Sequence, residues 1–158
     1  MKPTASAHGT LQEELAAIAA LIDLMKQEQQ CLVAADTDGL SALTPRKNAL
    51  IDLLAALAGQ RHQALAEAGV EASEAGMQAW LAQAAHAQHG AAWQSLLGHM
   101  RDAKELNRVN GMLINKQMTQ NAILINAMRT PADAADTGFY GPSGQATPVS
   151  SKRRLVVG

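Results

Sequence analysis

Residues 91–129 contain no proline, and their apolar residues hold helical spacing from end to end. Steps of three and four lead from Leu96 through Met100, Ala103, Asn107, Asn110, Ile114, Gln117, Asn121 and Leu124 to Met128. A 3.5-residue repeat of this kind describes a helix packed along a narrow seam, as in a coiled coil or long bundle. At ~1.5 Å of rise per residue the helix is expected to be on the order of 60 Å long. On a straight helix the seam drifts about 20° per heptad, which a left-handed supercoil absorbs.

The rest of the chain reads in the same way. Thr10 followed by Glu13 has the form of a capping box, and Leu11, Leu15, Ile18, Ile22, Met25, Gln29 and Leu32 continue from it in alternating steps. The run DTDG at 36–39 is turn chemistry. Thr44-Pro45 predicts a second helix start, with Leu50, Ile51, Leu53, Leu54, Leu57 and Leu65 on its apolar side and an end near Gly69. Leu40 and Leu43 leave room for an earlier helical turn. Ser73 predicts the cap of a short helix carrying Met77, Trp80 and Leu81, broken at HAQHG, 86–90.

The expected fold is therefore all-α: an elongated antiparallel bundle of three long helices plus one short helix, with a flexible C-terminal tail. Residues 1–130 form the bundle domain, and 131–158 the tail, rich in Pro, Gly, Ser, Thr and Ala. Within 158 residues, 47% are hydrophobic, much of it alanine, and only 3% are aromatic. That mixture suits closely packed helices better than a sheet sandwich.

Composition also narrows function. A formal charge of −1 offers no basic field for nucleic acid or an anionic membrane. The apolar stretch 11–33 is interrupted by Glu13, Glu14, Asp23, Lys26 and Glu28, so no membrane insertion is expected and a cytoplasmic location is. Cys31 stands alone, which leaves no internal disulfide or cysteine-based zinc cage. The spacing of His86 and His89 fits one helix face, yet two imidazoles are half of a typical zinc site. No nucleophile elbow, phosphate loop, dinucleotide fingerprint or zinc-protease motif is present. No catalytic residue, metal or cofactor is expected.

The segment LNRVNGMLINKQMTQN, 106–121, is unusual in setting amides among the leucines, isoleucine and methionines of a helix. Asn110, Gln117 and Asn121 fall inside the stripe of Leu106, Leu113, Leu124 and Met128, with Asn107 at its edge. A buried amide without a partner is destabilising by ~1–3 kcal/mol. Two readings stand: a half-wet groove awaiting another helix, or amides bonded to one another within one bundle. Gly111 adds a cost of about 1 kcal/mol relative to alanine, which close approach of a helix backbone would offset. Met100 and Met128, on the seam, read as core filler, while Met112 and Ile123 point away from it and Met118 lies between.

These residues carry a resemblance. Leu106-Asn107-x-x-Asn110-Gly111-x-Leu113-Ile114 late in a long helix, then Tyr140-Gly141-x-x-Gly144 in a loose tail, resembles the FlgN-type flagellar secretion chaperones. The N-terminal heptads, Lys47 ahead of Leu50 and Leu54, and Trp80 in a short segment agree with that layout, so the likeness spans about residues 10–145. The resemblance implies a chaperone that binds the C-terminal segments of the hook–filament junction proteins FlgK and FlgL, keeps them from polymerising, and delivers them to the export gate, the cytoplasmic domain of FlhA. It implies client contacts at Asn107, Asn110, Gly111, Ile114, Gln117, Met118 and Asn121, and gate docking through Phe139 and Tyr140. A structural module that homo-oligomerises through the heptad seam is the alternative reading.

Overall fold

Alternating apolar positions in steps of three and four produce four α-helices among the described residues. The structure is a computed structural model, and it describes residues 6–129. Its helices are α1 (Ala7–Ala34), α2 (Thr37–Glu67), α3 (Glu74–Leu81) and α4 (Gly90–Arg129), with a single 3-10 turn at Ala87–His89 before the last. The expected all-α architecture of three long helices and a short one is what forms. The expected tail, 131–158, lies outside the described residues. By their packing the residues divide into two units, one ending at Leu113 and the other beginning at Ile114, so that α4 contributes to both.

In the first unit, α1 supplies the centre. Ala7, Leu11, Glu14, Ile18, Leu21, Met25, Glu28 and Leu32 are all buried and follow one another in steps of four and three. This is the expected heptad helix with two corrections. The helix starts at Ala7, and Thr10 is a full turn inside, its hydroxyl donating to the Ala7 carbonyl at 2.9 Å rather than capping. Burial of Ala7 extends the seam by a turn, and that outweighs the capping box. Second, Glu14 and Glu28 take seam positions that Leu15 and Gln29 had seemed to hold. Buried carboxylates are tolerable only when paired and hydrogen-bonded, and α2 supplies both partners.

Arg61 of α2 approaches Glu14 through Nε, 3.0 Å from Oε2, and Nη2, 3.1 Å from Oε1. Lys47 Nζ lies 3.1 Å from both oxygens of Glu28. Residue numbers thus rise along one helix as they fall along the other, so α1 and α2 form an antiparallel hairpin. Only Ala35 and Asp36 join them. Ala35 takes the left-handed conformation, φ 56°, and Asp36 caps α2 by accepting from the Gly39 N–H at 2.9 Å. The expected helix start at Thr44-Pro45 is therefore one that the helix passes through, because the Asp36 cap begins it two turns earlier. Proline inside a helix leaves one carbonyl unpaired; here Ser41 and Pro45 are both exposed, so solvent can serve it. Ile51 and Leu53, expected on the apolar side, are among the exposed residues, while Leu57, Arg61 and Leu65 face inward.

The chain then turns at Gly69, φ 83°, and Ser73 caps α3 as expected, its Oγ accepting from the Gly76 N–H at 3.2 Å. Glycine is required at 76, since a Cβ there would run into the Glu71 carbonyl oxygen. Met77 and Trp80 enter the core beside Leu11, Ile18, Leu65, Trp93 and Leu96. Trp80 stacks on His86, with ring centroids 4.0 Å apart, and His8 stacks on His89 at 4.7 Å. The beginning of α4 is thereby held beside the beginning of α1, and its first half runs parallel to α1 and antiparallel to α2.

Arg61 is 1% exposed and Glu14 2%. Removing one member of such a pair leaves the other charge buried without compensation. Arg61→Met is expected to cost about 3–5 kcal/mol, whereas the double change Glu14→Leu with Arg61→Met should recover most of that loss. Urea unfolding of the two variants measures both.

Candidate functional site

The long C-terminal helix behaves as two different surfaces. In its first stretch Trp93, Leu96, Ala103 and Asn110 are buried, with Leu106 and Leu113 half-buried between and after them. These positions follow the expected seam in part, because Met100 and Asn107, on the same line, are exposed. Met100 is therefore not core filler.

Asn110 is the most deeply placed amide, 1% exposed. Its Nδ2 donates to the Met25 carbonyl and to Glu28 Oε1, both at 2.9 Å. One amide group thus satisfies a helix carbonyl of α1 and a buried carboxylate. Lys47 completes the arrangement: besides gripping Glu28, its Nζ lies 3.5 Å from Asn107 Oδ1. Both amides work as ties between helices. Asn107 and Asn110 hold the first part of α4 against the α1–α2 hairpin, and Asn110, expected as a client contact, faces the core. The two readings of the amides therefore divide by position. Here they bond within the bundle, although to a lysine, a glutamate and a backbone carbonyl rather than to one another.

Gly111 is half-buried, and a Cβ built on it would meet nothing within 4 Å. Among the described residues no close approach of a backbone explains it. On the outer side Arg108 donates to Glu105 from Nε at 2.9 Å and Nη2 at 2.7 Å, and Nη1 reaches Met112 Sδ at 3.0 Å. Those hydrogen bonds hold the Glu105 carboxyl below its ordinary range and raise Arg108. Both groups are fully solvated, so the pair keeps the outer face charged and contributes little to stability.

From Ile114 to Arg129 every residue is exposed or half-exposed. Ile114, Met118, Asn121, Ile125 and Met128 recur in steps of four and three, which places them within about 80° of arc at 100° per residue. Their apolar members are open to solvent, with Met118 64% and Met128 70% exposed. Met128, expected as core filler, belongs to this open stripe. Leu124, 59% exposed, borders it beside half-exposed Gln117, and Ile123 lies on the other side of the helix. Here the half-wet reading fits: an apolar stripe with one asparagine in it, facing solvent.

Of the residues predicted to form one surface, Ile114, Gln117, Met118 and Asn121 share the second unit. Asn107, Asn110 and Gly111 belong to the first. Phe139 and Tyr140 lie outside the described residues. Sequence reasoning missed Glu14, Glu28 and Arg61, although a signal existed: the two glutamates are two heptads apart on the same seam. His86 and His89 serve as stacking partners of Trp80 and His8. Among the described residues no group of three or more His, Cys, Asp or Glu side chains is placed to hold a metal ion, and no helix is long and apolar enough to cross a membrane.

Asn110→Leu removes two donors and leaves the Glu28 carboxylate with Lys47 alone. It is expected to destabilise the chain by about 1.5–3 kcal/mol, while Asn121→Leu, in the open stripe, should change stability by less than roughly 0.5 kcal/mol. Parallel denaturant titrations test the contrast.

Comparison with known proteins places the chain in a family. The family model described as FlgN protein matches residues 1–148. No curated protein and no solved structure gives a significant match. The match covers most of the chain, which therefore belongs to the FlgN family of flagellar chaperones, a family of binding proteins and not of enzymes.

Proposed function

We propose that this FlgN-family chain holds the C-terminal segments of FlgK and FlgL on the stripe Ile114, Met118, Asn121, Ile125 and Met128, in the cytoplasm before export. The open stripe is the observation that carries the reading. An apolar row left to solvent marks a surface that another molecule covers. Its heptad spacing suits a partner helix, laid in register by repeated apolar contacts. Asn121 within the row selects one alignment of that helix at some cost in affinity. Methionine on either side adapts to more than one apolar partner, which a chaperone with two clients requires. Gln117 borders the stripe and adds polar contact.

The clients need such cover because their terminal segments are built to polymerise. A chaperone that occupies them keeps them soluble and marks them for delivery. Delivery, in this reading, runs through the cytoplasmic domain of FlhA, with Tyr140 and Phe139 as aromatic anchors in a segment that otherwise has few apolar residues.

Met118→Asp places a charge in the middle of the stripe without touching the first unit's core. It is expected to weaken binding of a FlgK or FlgL C-terminal peptide at least roughly tenfold, about 1.4 kcal/mol, with unchanged helicity. Isothermal titration and circular dichroism read the two quantities. Full binding by the variant would remove the stripe as client site. The same stripe also suits self-association, and light scattering on the free protein separates the two: a tight homo-oligomer that ignores the peptides would favour a structural module. Tyr140→Ala should leave peptide affinity unchanged and reduce capture of the chaperone–client complex by the FlhA cytoplasmic domain, measured by surface plasmon resonance.

A further inference from the structure

A cleft of about 410 Å³ opens between α3 and the first part of α4, wholly within the first unit. Trp93, Leu97 and Met100 form its apolar floor, Glu74 and Gln78 the α3 wall, and Arg101 and Lys104 the far edge. Its volume is that of a site for a ligand group rather than a packing gap.

Three features indicate what it would hold. Arg101 and Lys104, one turn apart on α4, make no hydrogen bond or ion pair with any described residue. Trp93 is 1% exposed, and its indole Nε1 is buried without an acceptor, which is a costly state for a donor. The one carboxylate in the wall, Glu74, is already turned towards Arg61 Nη2 at 3.5 Å and His62 Nε2 at 3.6 Å. The cleft therefore presents free positive charge beside an apolar floor, and its complement is an apolar group next to a carboxylate. Leu97, Met100, Arg101 and Lys104 lie along one side of α4 over ~10 Å, which matches a stretch of peptide better than a compact small acid.

We infer that this cleft is a docking site for an acidic amphipathic peptide segment, whose apolar side chain rests on Leu97 and Met100 beside the buried Trp93 and whose carboxylate meets Arg101 and Lys104. It is separate from the open stripe of α4 and does not depend on the function proposed for that stripe.

The probe is a short synthetic helical peptide, capped at both ends, with leucine and glutamate one turn apart, titrated into the 15N-labelled full-length chain. With two tryptophans in the chain, each indole N–H is followed separately. The glutamate peptide should shift the Trp93 indole signal saturably. A glutamine version should bind roughly tenfold more weakly, two exposed ion pairs contributing up to ~1 kcal/mol each. Arg101→Glu with Lys104→Glu, both outside the core, should lose the glutamate peptide and favour a lysine version. Equal binding of glutamate and glutamine peptides, or no Trp93 shift, would overturn the proposal. Indifference to the charge reversal, or the same shift from free glutamate at equal concentration, would do so too.

Discussion

A single buried guanidinium touches all four helices. Arg61 leaves α2, forms a two-armed bond with Glu14 of α1, reaches Glu74 of α3 with Nη2, and lies 4.9 Å over the ring of Trp93 in α4. Arginine alone among the cations combines a planar fork for a carboxylate with a flat face for an aromatic ring. Its value is in arrangement more than in net energy, because the desolvation of a buried ion pair offsets most of the attraction. Slip α1 by one turn against α2 and both charges are left in an apolar seam. Leucine contacts alone would tolerate that slip far better.

A second polar tie sits further along the same hairpin. Glu28, Lys47, Asn107 and Asn110 join α1, α2 and α4 two heptads beyond Glu14. With one tie near each end of the hairpin, α1, α2 and the first part of α4 keep one register. The large side chains Trp80, Trp93, Leu96 and Met77 fill the core where α3 and α4 join α1.

This division gives the amides of α4 two different jobs. Asn110 is consumed by the fold, since Glu28 and the Met25 carbonyl take its hydrogen bonds. Asn121, eleven positions later, stands in an open apolar stripe. One residue type on one helix therefore supports internal register in the first unit and stands open to solvent in the second. α1 itself ends six residues after Glu28, at Ala34, so the hairpin offers little more seam beyond that tie.

Heptad periodicity, cap chemistry at Ser73 and the breaking segment 86–90 were legible because they are local: each depends on neighbours within a turn or two. So was the family, through amides and glycine at fixed spacing. Pro45 misled for the opposite reason, since the Asp36 cap lies two turns upstream and overrides the helix start that proline favours. What only the tertiary structure decided was which carboxylates are core and which methionines are surface. Glu14 is buried because Arg61, far away in sequence, lies opposite it. Met100 and Met128 are open because no described neighbour covers them, and a period that repeats along one helix carries no word of what stands across from it.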